Sequence, residues 1–230
     1  MTILLYELCG RDPAQVFSPH CWKVRMALAH KGLDFEVRPT PFTKIPEIAG
    51  GFSKTVPVID DNGTLVRESF DIARYLEQTY PDRPSLFGGP GGEGMARFVE
   101  RWCQFNVQAA LLRLIVADIH AALDAPDQAY FREDREKRLG KPLEDIQAGR
   151  EDRVEDFRQV LRPLREMLAL QPFIGGNAPL FPDYVVFGAL QWSRVASPFK
   201  ILADDDPVAD WFGRCLALHD GMGLKTRAAA

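Results

Sequence analysis

The sequence contains no uncharged apolar run approaching about 18 residues, which excludes a membrane-spanning helix, and no membrane partner is expected. Net charge is also small: 28 Lys and Arg stand against 32 Asp and Glu, giving −4 at pH 7. A nucleic-acid binder would normally show a basic stripe, so no nucleic acid is expected either. Cysteine is scarce. Cys9, Cys21, Cys103 and Cys215 are scattered singly, with neither the paired spacing of a metal site nor a disulfide framework, so no metal is expected. The opening stretch lacks a basic cluster, and Glu7 interrupts its apolar run, which argues against a secretory leader. There are no internal repeats, and no low-complexity segment beyond Ala228–Ala230. What is present is a chain of 230 residues, 46% of them apolar, enough to pack a core in one large domain or two small ones. A soluble cytoplasmic protein is the expectation.

The first part alternates strand-like and helix-like patterns. Ile3–Leu8 reads as a buried strand. Ser18 is placed to cap a helix reaching His30, with Pro19 at its first position and Gly32 just past its end. Asp34–Arg38 alternates like a second strand. Val56–Asp60 and Thr64–Arg67 flank Asp61-Asn62-Gly63, a strong hairpin signal. Ser69 is then expected to cap a helix carrying Ile72, Ala73, Leu76 and Tyr80 on one side. The order β-α-β, a loop or helix, then β-β-α predicts a small mixed sheet with helices on both faces.

Tyr80–Gly94, with three prolines and five glycines, marks a linker, and beyond it the strand pattern stops. Met95, Phe98, Trp102, Phe105, Ala109, Leu112, Val116, Ile119 and Leu123 recur at spacings of three and four, predicting one long helix. Val99, Leu111, Leu114 and Ile115 lie outside that stripe, so burial in a bundle or a subunit interface explains the helix better than a coiled coil. Val154–Leu168, Asp183–Trp192 and Asp210–Leu218 predict further helices, the second almost uncharged and therefore central. Between Arg132 and Arg158, 17 of 27 residues are charged, with alternating signs that nearly cancel. A solvated helical surface accounts for this block; an insertion covering an active site is the sharper alternative.

Three short elements carry chemistry. In Ser18-Pro19-His20-Cys21-Trp22-Lys23-Val24-Arg25, a loop enters a helix N-terminus, where free N–H groups and the helix dipole favour an anion. A serine hydroxyl there can donate to a bound thiolate and depress its pKa, or it can simply cap the helix. In Thr55-Val56-Pro57-Val58, a proline at a strand start needs a reason; a cis Val56–Pro57 bond would be one. Such a turn leaves the Val56 backbone able to pair with an extended peptide. At Glu68-Ser69, a helix start sits beside an acid. Structure alone explains both residues, but a ligand with an ammonium and a carboxylate would use the same pair.

Taken together, Ser-Pro-x-x-Trp-Lys-Val-Arg from Ser18, then Val56-Pro57, then Glu68-Ser69, followed by an all-helical half, resembles the cytosolic glutathione transferases. The resemblance covers essentially the whole chain. It implies an α/β thioredoxin-like N-terminal domain over residues 1–88 and an all-α helical-bundle C-terminal domain over 89–230. It further implies a glutathione S-transferase acting on a hydrophobic small molecule, with glutathione as cosubstrate, and a homodimer. Ser18 falls where Ser-type classes such as zeta place the catalytic serine, and where the omega class has cysteine. The resemblance puts the γ-glutamyl end of glutathione at Glu68 and Ser69, and its cysteinyl backbone at Val56 and Pro57. Lys44 and Lys54 are both candidates for the glycyl carboxylate. Phe42-Thr43, Gly50-Gly51 and the block Arg132–Arg153 are similar to the bacterial β-aryl-ether-cleaving transferases. One departure is Leu180, which stands where the family usually has the hydroxyl of Ser/Thr-x-x-Asp, ahead of Asp183.

Other residues keep two readings. His20 and His30, both on the first helix, are candidates for a general base and a ligand, and His20 either approaches the cosubstrate or stands at the surface. Cys9 is a reactive thiol or an inert buried one. Trp102, Phe105, Tyr184 and Trp192 pack helices, and one or two of them line a substrate site between domains. Three rival functions accompany the transferase: a zeta-type isomerase that uses glutathione without consuming it, a non-catalytic binding protein, and a thiol-disulfide oxidoreductase. The last is disfavoured because serine replaces the first cysteine of a Cys-x-x-Cys ending at Cys21.

Overall fold

The computed structural model describes residues 2–229, so Met1 and Ala230, the outer ends of the two expected domains, lie outside it. Alternating burial along β1 (Ile3–Leu8) gives it two covered faces. The crossover α1 (Pro19–His30) returns the chain to β2 (Phe35–Thr40), which pairs parallel to β1. The segment Phe42–Gly51 forms short 3-10 turns broken by left-handed Ala49 and Gly50. β3 (Val58–Asp61) and β4 (Thr64–Arg67) then complete a four-stranded sheet of order β2-β1-β3-β4, with antiparallel pairs β1–β3 and β3–β4. Asn62 and Gly63 take φ of 52° and 92°, the doubly positive geometry of a type I′ hairpin turn. β3 starts at Val58 rather than Val56, since Pro57 has no N–H to give to the ladder. Helix α2 (Ser69–Thr79) follows, burying Phe70, Ile72, Ala73 and Leu76.

The long helix expected over 95–123 is divided. It runs as α3 (Gly92–Trp102), a π-helical segment Cys103–Gln108, and α4 (Ala109–Ala121). Its first half turns part of the apolar stripe outward. Ala96, Glu100, Cys103, Val107 and Leu111 are buried, whereas Met95, Phe98 and Phe105 are 61%, 66% and 70% exposed. Small Ala96 and Cys103 fit against the interior, where the Cys103 thiol donates to the Val185 carbonyl at 3.7 Å, and Glu100 meets a buried lysine.

α5 (Ala125–Leu139), α6 (Leu143–Gln147), α7 (Arg150–Val160) and α8 (Arg162–Leu168) follow, so Leu161 separates two helices where the periodicity predicts one. The nearly uncharged segment is central: α9 (Phe181–Ala196) is buried continuously from Phe181 to Gln191. It packs on α1 so closely that a Cβ at Gly188 would sit 2.4 Å from the Pro19 carbonyl, and Trp22 meets Phe187 edge-on at 5.8 Å. Asp183 completes its half of the α9 cap, accepting from the Leu180, Ile174 and Gly175 amides and from the Trp211 indole at 2.7–3.0 Å. α10 (Pro207–Lys225) closes the bundle with a kink at Leu218–Gly221. The thioredoxin-like sheet half and the all-helical half thus pack together through α1 and α9, and the candidate site opens between the sheet half and the helices α3, α4 and α5.

Candidate functional site

Two adjoining cavities lie between the sheet half and the helical half, of about 670 and 480 Å³, and they share His20, Thr55, Val56 and Gln104 in their walls. The sequence-derived candidates divide between them. Ser18 and Lys54 line the larger; Pro57, Glu68 and Ser69 line the smaller; His20 and Val56 line both. Lys44 lines neither cavity; its ammonium pairs with Glu47 at 2.8 Å on the exposed surface.

The smaller cavity is built on the α2 N-terminus. Glu68, not Ser69, is the capping position: the Glu68 carbonyl accepts the first helical bond from the Ile72 amide at 2.9 Å, and no side chain caps the end. Glu68 holds φ of 67°, a left-handed conformation that is uncommon for a non-glycine residue and clusters at functional sites. The Thr55 hydroxyl donates to its carboxylate at 3.3 Å. The first-turn N–H groups, the helix dipole and the Glu68 carboxylate therefore stand together, a pattern complementary to a carboxylate and an ammonium on one ligand. The Val56–Pro57 peptide is cis. Among the described residues, neither backbone polar atom of Val56 is hydrogen-bonded within the chain, so both remain available to an extended peptide.

Ser18 lines the larger cavity, two residues from His20, which both cavities share. It is 5% exposed, caps α1, and accepts from the Cys21 amide at 3.4 Å. Below it, the Lys23 ammonium is buried, 3.2 Å from His20 Nδ1 and 3.3 Å from Glu100. Burial lowers the Lys23 pKa, and Glu100 opposes that shift. Burial, reinforced by the Lys23 charge, pushes His20 down to about 3, so this half-buried ring is neutral at pH 7 and does not belong to the surface. His30 is likewise internal, bonded to the Tyr184 hydroxyl at 2.7 Å and to the Ser85 carbonyl at 3.0 Å. The chain's own thiols are not activated. Burial, with Asp127 adding, raises Cys9 to about 11; burial, with Glu7 adding, raises Cys21 to about 12. Cys9 is thus the inert buried thiol of the two readings. Among the described residues no group of three His, Cys, Asp or Glu side chains is placed to hold a metal.

The larger cavity is aromatic. Of the four aromatics singled out in the sequence, Phe105 and Trp192 line it, while Tyr184 is fully buried. Its far wall is α5, whose Tyr130 and Phe131 the sequence reading does not select. Asp124 caps α5, and Asp127 accepts from the Phe42 and Thr43 amides at 2.6 and 2.8 Å, tying the helix to the sheet half. This brings the Phe42 ring within 5.9 Å of Tyr130 and 5.6 Å of Phe131. The leading turns of the charged block, Asp134, Arg135 and Arg138, continue that wall. Part of the block therefore covers the site rather than only facing solvent. The signal is present in Asp124-Ala125-Pro126-Asp127, a helix start that carries Tyr130-Phe131 into an otherwise charged stretch.

Comparison with known proteins agrees with this architecture. A model of the glutathione S-transferase C-terminal domain matches residues 94–217, and one of the N-terminal domain matches residues 17–79. A glutathione S-transferase-like protein of Aspergillus flavus is 28% identical over 212 residues, covering 77% of this chain and 74% of that one. A glutathione S-transferase of Ceriporiopsis subvermispora, solved in complex with glutathione, has the same fold at a TM-score of 0.83 and 24% identity, covering 96% of this chain and 97% of that one. Glutathione transferase GSTFuA3 of Phanerochaete chrysosporium gives 0.75 at 28% identity, covering 98% and 94%.

Proposed function

Because this chain belongs to the glutathione S-transferase family and is a glutathione transferase, we propose that Ser18 holds the glutathione thiolate for attack on an apolar, aromatic electrophile. Glutathione lies across the two joined cavities with its γ-glutamyl end in the smaller one, the carboxylate on the open α2 N-terminus with Ser69 and the ammonium on Glu68. The cysteinyl backbone pairs with Val56 beside Pro57, and the thiol reaches Ser18 in the larger cavity, with neutral His20 in the shared wall. Lys54, rather than Lys44, meets the glycyl carboxylate, since only Lys54 lines a cavity. The thiolate sulfur forms a bond to an electrophilic carbon, and the leaving group departs with its electron pair. Aryl-ether cleavage is the special case in which that group is an aryloxide. The observation that carries this reading is the convergence of Ser18, an unpaired Val56 backbone and an uncapped helix start on two joined cavities.

In this reading residues 1–88 carry glutathione, and 89–230 supply most of the electrophile site. The exposed Met95 and Phe98 on one face of α3 support a homodimer, which sedimentation of wild type and a Met95→Glu, Phe98→Glu variant tests. Four buried, unpaired thiols suit the reducing cytoplasm. The catalytic test is Ser18→Ala, which lowers kcat/KM on the order of 10²-fold, the usual loss for one donor to a developing or bound anion. Unchanged kcat/KM refutes the assignment. Glutathione consumed in step with product identifies transfer; turnover without consumption identifies a zeta-type isomerase instead.

A further inference from the structure

The larger cavity is aromatic in its walls, and the charges that line it are mostly cationic. Lys54, Arg113, Arg135 and Arg138 line it against one acid, Asp134. Asp134 is engaged by both Arg135 and Arg138, and the Arg135 guanidinium also lies 4.8 Å from the Phe131 ring centre. Arg113 differs from Arg135 and Arg138: among the described residues neither it nor Lys54 forms an ion pair. One helical face presents it, since Gln108, Ala109, Leu112 and Arg113 all line the same cavity. Gln108 supplies a second, independent observation. It ends the π-helical segment, is 8% exposed, and its amide nitrogen is buried with no hydrogen-bond partner. Buried polar groups are normally satisfied, and π-helical turns recur at functional sites, so an orphan donor beside a cavity points to an acceptor that arrives with a ligand. The last torsion of a glutamine side chain is broad, so a small rotation turns this amide to such an acceptor.

We propose that the cavity takes an aromatic electrophile carrying an anionic oxygen group, a carboxylate at neutral pH, whose charge is met by Arg113 and one of whose oxygens is met by the Gln108 amide. This rests on the transferase reading above. There, Lys54, Glu68 and the α2 N-terminus already serve the charges of glutathione, which leaves Arg113, on the helical half, for the electrophile. The ring lies among Phe42, Tyr130 and Trp192, and charge-assisted hydrogen bonds to the guanidinium fix its direction. Arg113 and Gln108 are positioning residues; the bond to sulfur forms and the leaving group departs as before.

The test compares two product conjugates that share the glutathione moiety, S-(4-carboxybenzyl)glutathione and S-(4-methylbenzyl)glutathione, by titration calorimetry. Wild type binds the carboxylated conjugate about tenfold or more tightly than the methyl one. Arg113→Met brings the ratio close to one and leaves the methyl conjugate's Kd unchanged. Gln108→Leu lowers the ratio while Tm holds or rises, because an unpartnered donor has been removed; a purely structural Gln108 would instead lower Tm. A wild-type ratio of one or less overturns the inference, as does an Arg113→Met that weakens both conjugates equally, since Arg113 would then serve glutathione. Failure of both conjugates to bind overturns the glutathione reading, and this inference with it.

Discussion

The Cys21 amide donates to Ser18 Oγ at 3.4 Å, longer than the roughly 2.7–3.2 Å of a well-formed N–H···O bond. The Ser18 hydroxyl is thus lightly engaged as a helix cap while facing the larger cavity. Ser18→Ala is therefore expected to cost only about 0.5–1 kcal/mol in stability, the low end of the capping range, while activity collapses. Urea denaturation beside kcat/KM checks this. A loss of several kcal/mol would make Ser18 primarily a structural residue.

Ser18→Cys places a thiol on the cavity wall. Oxidised glutathione should then give a mixed disulfide at position 18, releasing one reduced glutathione, as read by mass spectrometry after proteolysis. Absence of any adduct at that position counts against placing the glutathione sulfur there.

Lys23 and Glu100 form a buried interdomain pair at 3.3 Å, with side chains 1% and 8% exposed. Glu100→Gln leaves the lysine charge buried against neutral His20, so a loss of about 3–5 kcal/mol is expected. Replacing both with apolar residues, Lys23→Met with Glu100→Leu, should recover most of it. Chemical denaturation of the three variants decides; a neutral Glu100→Gln would show that the pair contributes little.

All four histidines are held below their ordinary value: His20, His30, His120 and His219, each chiefly by burial. The unfolded chain therefore binds more protons than the folded one below about pH 6.5, and stability falls as pH drops through that value. Asp183, which burial raises, opposes this; Glu144, which Arg132 lowers to about 2, adds to the loss at lower pH. Unfolding free energy should be smaller at pH 5.5 than at 7.5, with a shallower slope in His30→Gln. A flat or inverted dependence contradicts these burial assignments.

Much of this arrangement is legible in the residues because local chemistry dictates it. Asn62-Gly63 demands its turn, Pro19 fits only the first turn of α1, and Pro57 is excluded from the β3 ladder. Nearly uncharged α9 has nowhere to go but the centre. The misses have a common physical origin. Periodicity reports that a helix is apolar, not which neighbour covers it, so it leaves bundle and subunit interface open for the stripe over 95–123, of which Met95 and Phe98 face outward. Ser69 has the hydroxyl of the usual capping group, yet the backbone places Glu68 at the cap with positive φ. Gln108, Arg113 and Tyr130 come together only when α4, α5 and the Phe42 segment converge, and no local pattern encodes that meeting.

The central claim is that Ser18 holds a thiolate, and ultraviolet titration of the bound glutathione thiol tests it most directly. In wild type the thiol should ionise at least about one pH unit below the roughly 8.5 of a free thiol, and in Ser18→Ala it should return toward that value. Equal ionisation in the two proteins would contradict the account.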